Sequence, residues 1–126
     1  MKNLKKCIVD FTIKNNEQEI IEKNIQAKKD NNKIIFNSNN DKFVITISDK
    51  VIIEKENEDS LIIFDFVLNK ETESKYYIKK LDFYIDTKIL TNYLFIDNNN
   101  VKIEYELWLN EEYSGKFNYE FSIKEV

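Results

Sequence analysis

The sequence predicts an all-β fold: a single antiparallel meander of about eight to ten strands closed into a barrel. Three observations predict it. Segments rich in Ile, Val, Phe and Tyr recur along the chain, and these are the residue types that fit a pleated, half-buried surface. Asn/Asp clusters separate them at regular intervals, where tolerance of left-handed backbone and self-capping side chains makes turns. Several segments alternate apolar and polar residues with the period of a strand. The spacing leaves no room for crossover helices, so neighbours pair antiparallel. Closure removes the edges that such strands otherwise expose.

The first element carries Cys7, Val9, Phe11 and Ile13 on one face, and "KNNEQ" at 14–18 turns the chain. The next segment, "EQEIIEKNIQAKK" at 17–29, is full of helix formers, with Ile21, Ile25 and Lys28 at helical spacing. The short "DNN" turn and the strand-like neighbours favour a long, solvent-facing strand, with a helix left open as the alternative. Turns at "KDNNK" (29–33) and "NSNNDK" (37–42) lead to a strand with Phe43, Ile45 and Ile47 on one face. "SDK" (48–50) and "ENEDS" (56–60) bracket another segment. "LIIFDFVL" (61–68) is the most hydrophobic stretch, with Phe64 and Phe66 on one face and Leu61, Ile63, Asp65 and Val67 on the other. Beyond "NKETES" (69–74), Phe83, Ile85 and Thr87 form the next set. After "DNNN" (97–100), Val101, Ile103, Tyr105, Leu107 and Leu109 interleave with Lys102, Glu104, Glu106 and Trp108. A turn at "NEEYSG" (110–115) then brings back Phe117, Tyr119, Phe121 and Ile123 as the second arm of a closing hairpin. No repeat or linker divides the chain, so residues 1–126 read as one domain.

Composition excludes more than it assigns. A net charge of −4 and basic residues that are all lysine argue against nucleic acid, which selects a basic face and the arginine fork. With no histidine and one cysteine, the usual zinc, copper and nucleophile–base arrangements cannot be assembled. "DNNNVKIEYE" lacks the glycine of a calcium loop, and the single Gly115 cannot build a phosphate cradle. The expectation is therefore no cofactor, no metal and no enzyme. One cysteine permits no intrachain disulfide, and no apolar run exceeds four residues. "MKNLKKCIVDF" has leader-like lysines without an apolar core. A cytoplasmic setting without membrane insertion is expected.

The closing strands carry a resemblance. Val101-Lys102-Ile103-Glu104-Tyr105-Glu106-Leu107 is similar to the "I-x-I-x-Y-x-L" strand of an uncharacterised bacterial family, the YwiB-like proteins, and Phe117 to Lys124 follows as its closing strand. Phe66, Tyr76 and Tyr77, and "DTK" at 86–88 lie roughly where that family has a phenylalanine, a tyrosine and a threonine. The chain departs from the pattern at Asn57, Asn69 and Lys79-Lys80, where the family carries glycines, and at Lys55, which stands for an arginine. The resemblance implies a calycin, or lipocalin-like, barrel and no activity, because its motifs are structural.

A small barrel has an interior just wide enough for its own side chains or for one small ligand. Two functional readings follow. In the first, a narrow lumen binds a small apolar molecule, with candidate lining residues Asp65, Phe83, Tyr105, Tyr119 and Phe121 and the two tyrosine hydroxyls as polar handles; Asp65 reads first as an exposed or paired structural aspartate and only second as a lumen residue. In the second, inward aromatics plug the lumen and the barrel serves as an interaction or structural module, as a monomer or weak homodimer. Trp108, on the polar side of its strand, either covers a neighbouring strand or is the candidate interface residue. Cys7 reads as core, and Glu104 and Glu106 as the wet side of the pleat.

Overall fold

The computed structural model describes residues 4–97 and 99–126. Residues 1–3 of the leader-like start and Asn98 of the 97–100 turn lie outside the described residues. Ten strands follow in order: β1 (Lys5–Lys14), β2 (Glu19–Asp30), β3 (Lys33–Ser38), β4 (Asp41–Ile47), β5 (Val51–Glu56), β6 (Ser60–Phe66), β7 (Glu71–Ile78), β8 (Phe83–Ile96), β9 (Asn100–Leu109) and β10 (Glu112–Glu125). Lys79–Leu81 forms a single 3-10 turn. All neighbours in the meander pair antiparallel, and β1 against β10 closes the barrel. No helix among the described residues is long and apolar enough to cross a membrane.

Asparagine makes the turns. Asn31, Asn39, Asn40, Asn69 and Asn110 all have positive φ, between 49° and 70°. Their short polar side chains tolerate this region better than most non-glycine residues. Asn15, Asn57 and Asp97 instead accept backbone N–H bonds from residues two and three positions on. The closing hairpin turns at Asn110–Glu111, tighter than the "NEEYSG" of the sequence reading, because pairing resumes at Glu112 opposite Leu109. Gly115, at φ +125°, sits instead in a bulge of β10.

The segment over 17–29 is strand, not helix: β2 pairs along its length with β1. Cross-strand pairing overrides helix propensity here. Asn24, at φ 59°, bulges the strand, and its N–H is taken by Asp10 Oδ1 at 2.7 Å.

Pairing is uneven around the barrel. β2 and β3 are joined only through Ala27–Asp30 and Lys33–Phe36. β6 and β7 are joined only through Ser60–Ile62 and Tyr76–Ile78. The barrel thus consists of two packed sheets, β7-β8-β9-β10-β1-β2 and β3-β4-β5-β6, hinged at diagonally opposite corners. The upper end carries the turns before β2, β4, β6, β8 and β10, and the lower end the others. The β6–β7 corner, unpaired below, is stitched by two side-chain hydroxyls and one backbone N–H. Thr72 Oγ1 donates to the Asp65 carbonyl at 2.5 Å, Ser74 Oγ to the Ile63 carbonyl at 2.7 Å, and Asn69 N–H to the Thr91 carbonyl at 2.8 Å.

Candidate functional site

Alternation carries the inward faces of both sheets into one core. Val9, Phe11, Phe36, Phe43, Ile45, Val51, Ile53, Phe64, Phe66, Ile103, Tyr105, Tyr119 and Phe121 are all buried. The aromatic members touch in an unbroken ladder across the lumen. Phe36 stacks on Phe43 at 4.9 Å between centroids, and both meet Phe11, which meets Phe121 at 5.9 Å. Phe121 stacks on Tyr119, Tyr119 on Tyr105, and Tyr105 on Phe117. Phe66 packs on Tyr105 at 4.8 Å, and Phe64 lies parallel to Phe66 at 5.7 Å. Pairs at these separations add to the burial of their area.

Two hydroxyls sit inside this ladder. Tyr105 and Tyr119 are both almost wholly buried, and Tyr105 donates a hydrogen bond to the Tyr119 oxygen. Burial drives both phenols above their ordinary range, and the Asp41 carboxylate pushes Tyr119 further the same way. Both stay neutral at any physiological pH. Asp41 lies on the inward side of β4, two positions before Phe43, and is held there by its neighbours. Asn57 Nδ2 donates to its Oδ1 at 2.8 Å, and Lys55 Nζ lies 3.8 Å from its Oδ2. The same ammonium stands 5.9 Å from the centre of the Phe43 ring. An ion pair therefore caps the ladder at the upper end.

The candidate lining residues divide. Tyr105, Tyr119 and Phe121 are buried on the inner face. Phe83 is not: it has the inward parity of Thr87 and Ile89, but it begins β8 beyond the packed core and is 51% exposed. Asp65 is not in the lumen either. Phe64 and Phe66 take the inner face, and Asp65 faces out beside Lys50, whose Nζ lies 3.4 Å from Oδ1. Its Oδ1 is shielded without a hydrogen bond, as is the Thr91 hydroxyl. The sequence reading passed over Asp41 and treated Lys55 only as a substitution. Period-two counting from Phe43 and Ile53 places both on the inner face.

Trp108 lies on the outer face, with Lys88 Nζ 4.9 Å from its ring centre and the edge of Tyr113 at 5.2 Å. It forms one wall of an open groove of about 710 Å³ that also includes Ser74, Lys75, Asp86 and Glu111. Lys75 and Asp86 are paired. Glu106 faces out as well, accepting from the Tyr113 hydroxyl at 3.0 Å and from Asn92 at 3.2 Å. Those two bonds hold its carboxyl below the usual range. Glu104 stays exposed. Cys7 is buried, and burial pushes its thiol up, away from the reactive thiolate. Among the described residues no group of three or more Cys, Asp or Glu is placed to hold a metal ion.

The barrel as a whole has a counterpart among solved structures. It is similar to the crystal structure of the ywiB protein from Bacillus subtilis, with a TM-score of 0.61 over 99% of this chain and 93% of that one. At 12% identity the likeness shows a shared fold. No family model and no curated protein matches the sequence.

Proposed function

We propose that this protein is a plugged barrel that works through its outer surface as a protein-interaction module, without catalysis and without a lumen ligand. The observation that carries this reading is the unbroken ring ladder from Phe36 to Phe117, which leaves the inward faces of both sheets in contact with each other. Against the rival reading, a small apolar ligand held by the Tyr105 and Tyr119 hydroxyls, stands the packing of both rings on their neighbours, Tyr105 on Phe66 at 4.8 Å and Tyr119 on Phe121 at 5.5 Å. The groove beside Trp108 is the candidate contact face, since a half-covered tryptophan flanked by paired charges has the make-up of an interface anchor with a polar rim. Two finer assignments belong to the same proposal. The barrel is of the calycin type, a reading supported by the strand motif from Val101 to Leu107. The setting is cytoplasmic, in keeping with a single buried, unpaired cysteine.

Native mass spectrometry of protein purified without organic solvent or detergent tests the central claim. The expected spectrum is the polypeptide mass alone. A stoichiometric small molecule that is retained by the native protein and lost on unfolding refutes the plugged reading.

A further inference from the structure

Of the two half-open corners of the barrel, only one is stitched by hydroxyl groups. At the β2–β3 corner the ladder stops at Ala27 opposite Phe36. Among the described residues the first eight residues of β2, 19–26, have no strand on their far side. A side-chain bond crosses this gap among the described residues, from Asn39 Nδ2 to Glu22 Oε1 at 2.6 Å. The strand is nevertheless held in place, because β1 pairs with it from Glu19 to Lys29. A preformed strand with a free edge is a template for another strand. This edge also exposes apolar side chains on both faces: Ile20 is 45% and Ile21 52% exposed.

The order of charges along the edge selects the occupant. Glu19, Ile21 and Lys23 share the outer face in the sequence Glu19-Ile20-Ile21-Glu22-Lys23. In an antiparallel pair around a two-fold axis at Ile21, residue numbers opposite one another sum to a constant. Glu19 then faces Lys23 of the second copy, Lys23 faces its Glu19, and Ile21 meets Ile21. Opposite charges directly across an antiparallel ladder stabilise it, and like charges oppose it. An in-register parallel pair would instead set Glu19 on Glu19 and Lys23 on Lys23. The bulge at Asn24 ends the usable edge, so the paired stretch is short.

We infer that β2 is a self-docking edge: two copies of this chain pair antiparallel through residues 19–23 about a two-fold axis at Ile21, joining their larger sheets into one. The isologous geometry closes at two copies and leaves no edge to propagate. This goes beyond the plugged-lumen reading and holds or fails separately from it, since the edge lies outside the ring ladder.

Sedimentation equilibrium across a wide concentration range tests it, with circular dichroism to confirm that each variant is folded. The wild type is expected to show a reversible monomer–dimer equilibrium. Glu19→Lys, which sets like charges opposite each other at both ends of the pair, weakens dimerisation at least about tenfold. Ile21→Lys, which puts like charges on the axis, abolishes it. The double exchange Glu19→Lys with Lys23→Glu restores the dimer, an outcome that a folding defect cannot produce. Trp108→Ala leaves the equilibrium unchanged, since Trp108 lies on β9, three strands away around the barrel. A wild type that stays monomeric, a dimer indifferent to Glu19→Lys, or a dimer lost in Trp108→Ala would each overturn the assignment.

Discussion

Phe66→Ala probes the plug at its centre. Phe66 has 0% exposure, and its ring meets Phe64, Tyr105 and Tyr119 at 5.7, 4.8 and 6.3 Å. Removing a buried phenylalanine side chain costs about 3–5 kcal/mol. Three aromatic pairs, each worth about 0.5–1.5 kcal/mol beyond area, place this site in the upper half, about 4–5 kcal/mol. Against a total stability of about 5–15 kcal/mol the variant can be marginal, so Phe66→Leu serves as a milder companion. Urea unfolding followed by circular dichroism should show a lower midpoint at unchanged slope. The vacated space is lined by rings and aliphatic side chains and stays dry, and such cavities accept benzene. Benzene at ten times its dissociation constant should return about 1.4 kcal/mol to the alanine variant and nothing to the wild type. A cost under about 1 kcal/mol, or a wild type that benzene stabilises equally, would mean that the lumen already has slack and would refute the plugged reading.

Three further outcomes are expected. The raised phenols of Tyr105 and Tyr119 stay protonated in the folded chain while the unfolded chain releases both protons above pH about 10. Their contribution is intact below that pH, and stability then falls by about 2.7 kcal/mol per pH unit for the pair; urea titrations between neutral and strongly alkaline pH should show this excess slope, and it should persist in neither Tyr105→Phe nor Tyr119→Phe at full size. Gly115→Ala meets no obstruction, the nearest side-chain atom being Phe117 Cε2 at 4.0 Å. Its cost of about 1–3 kcal/mol comes from φ +125° alone, and a neutral thermal shift would show that the bulge relaxes. Lys50→Ala unpairs Asp65, yet both partners are more than 30% exposed, so a loss of no more than about 1 kcal/mol is expected; a much larger loss would make Asp65 a buried charge after all.

The strands were legible because two independent signals agree in this chain. Asparagine clusters mark the turns, and alternation marks the inner face, on which Tyr105, Tyr119 and Phe121 are buried. Phe83 shows the limit of alternation: it fixes a face but not a height along the barrel axis, and Phe83 lies past the end of the core. Asp65 shows what parity can do. Lying opposite to Phe64 and Phe66, it reads first as an exposed or paired aspartate, and the structure sets it outside beside Lys50. Asp41 and Lys55 went unread because charged residues next to turns resemble wet ones. The half-open corners were not legible at all. Local pattern says that β2 and β3 are strands but not that their ladder ends at Ala27.

Those corners follow from the lumen. A ten-stranded barrel closed evenly would enclose more space than an eight-stranded one, and wide barrels hold ligand or water unless something fills them. The two short ladders, β2–β3 and β6–β7, each leave part of a strand edge unpaired. The two edges are treated differently. Thr72, Ser74 and Asn69 satisfy the β6–β7 carbonyls and the Thr91 carbonyl from within the chain. Along β2 the corresponding positions carry Ile20, Ile21, Glu22 and Lys23, and across the gap Glu22 accepts one bond, from Asn39 Nδ2. A chain that closes one corner with hydroxyls and leaves the other with a self-complementary order of charge and isoleucine presents there the edge on which the proposed self-pairing rests.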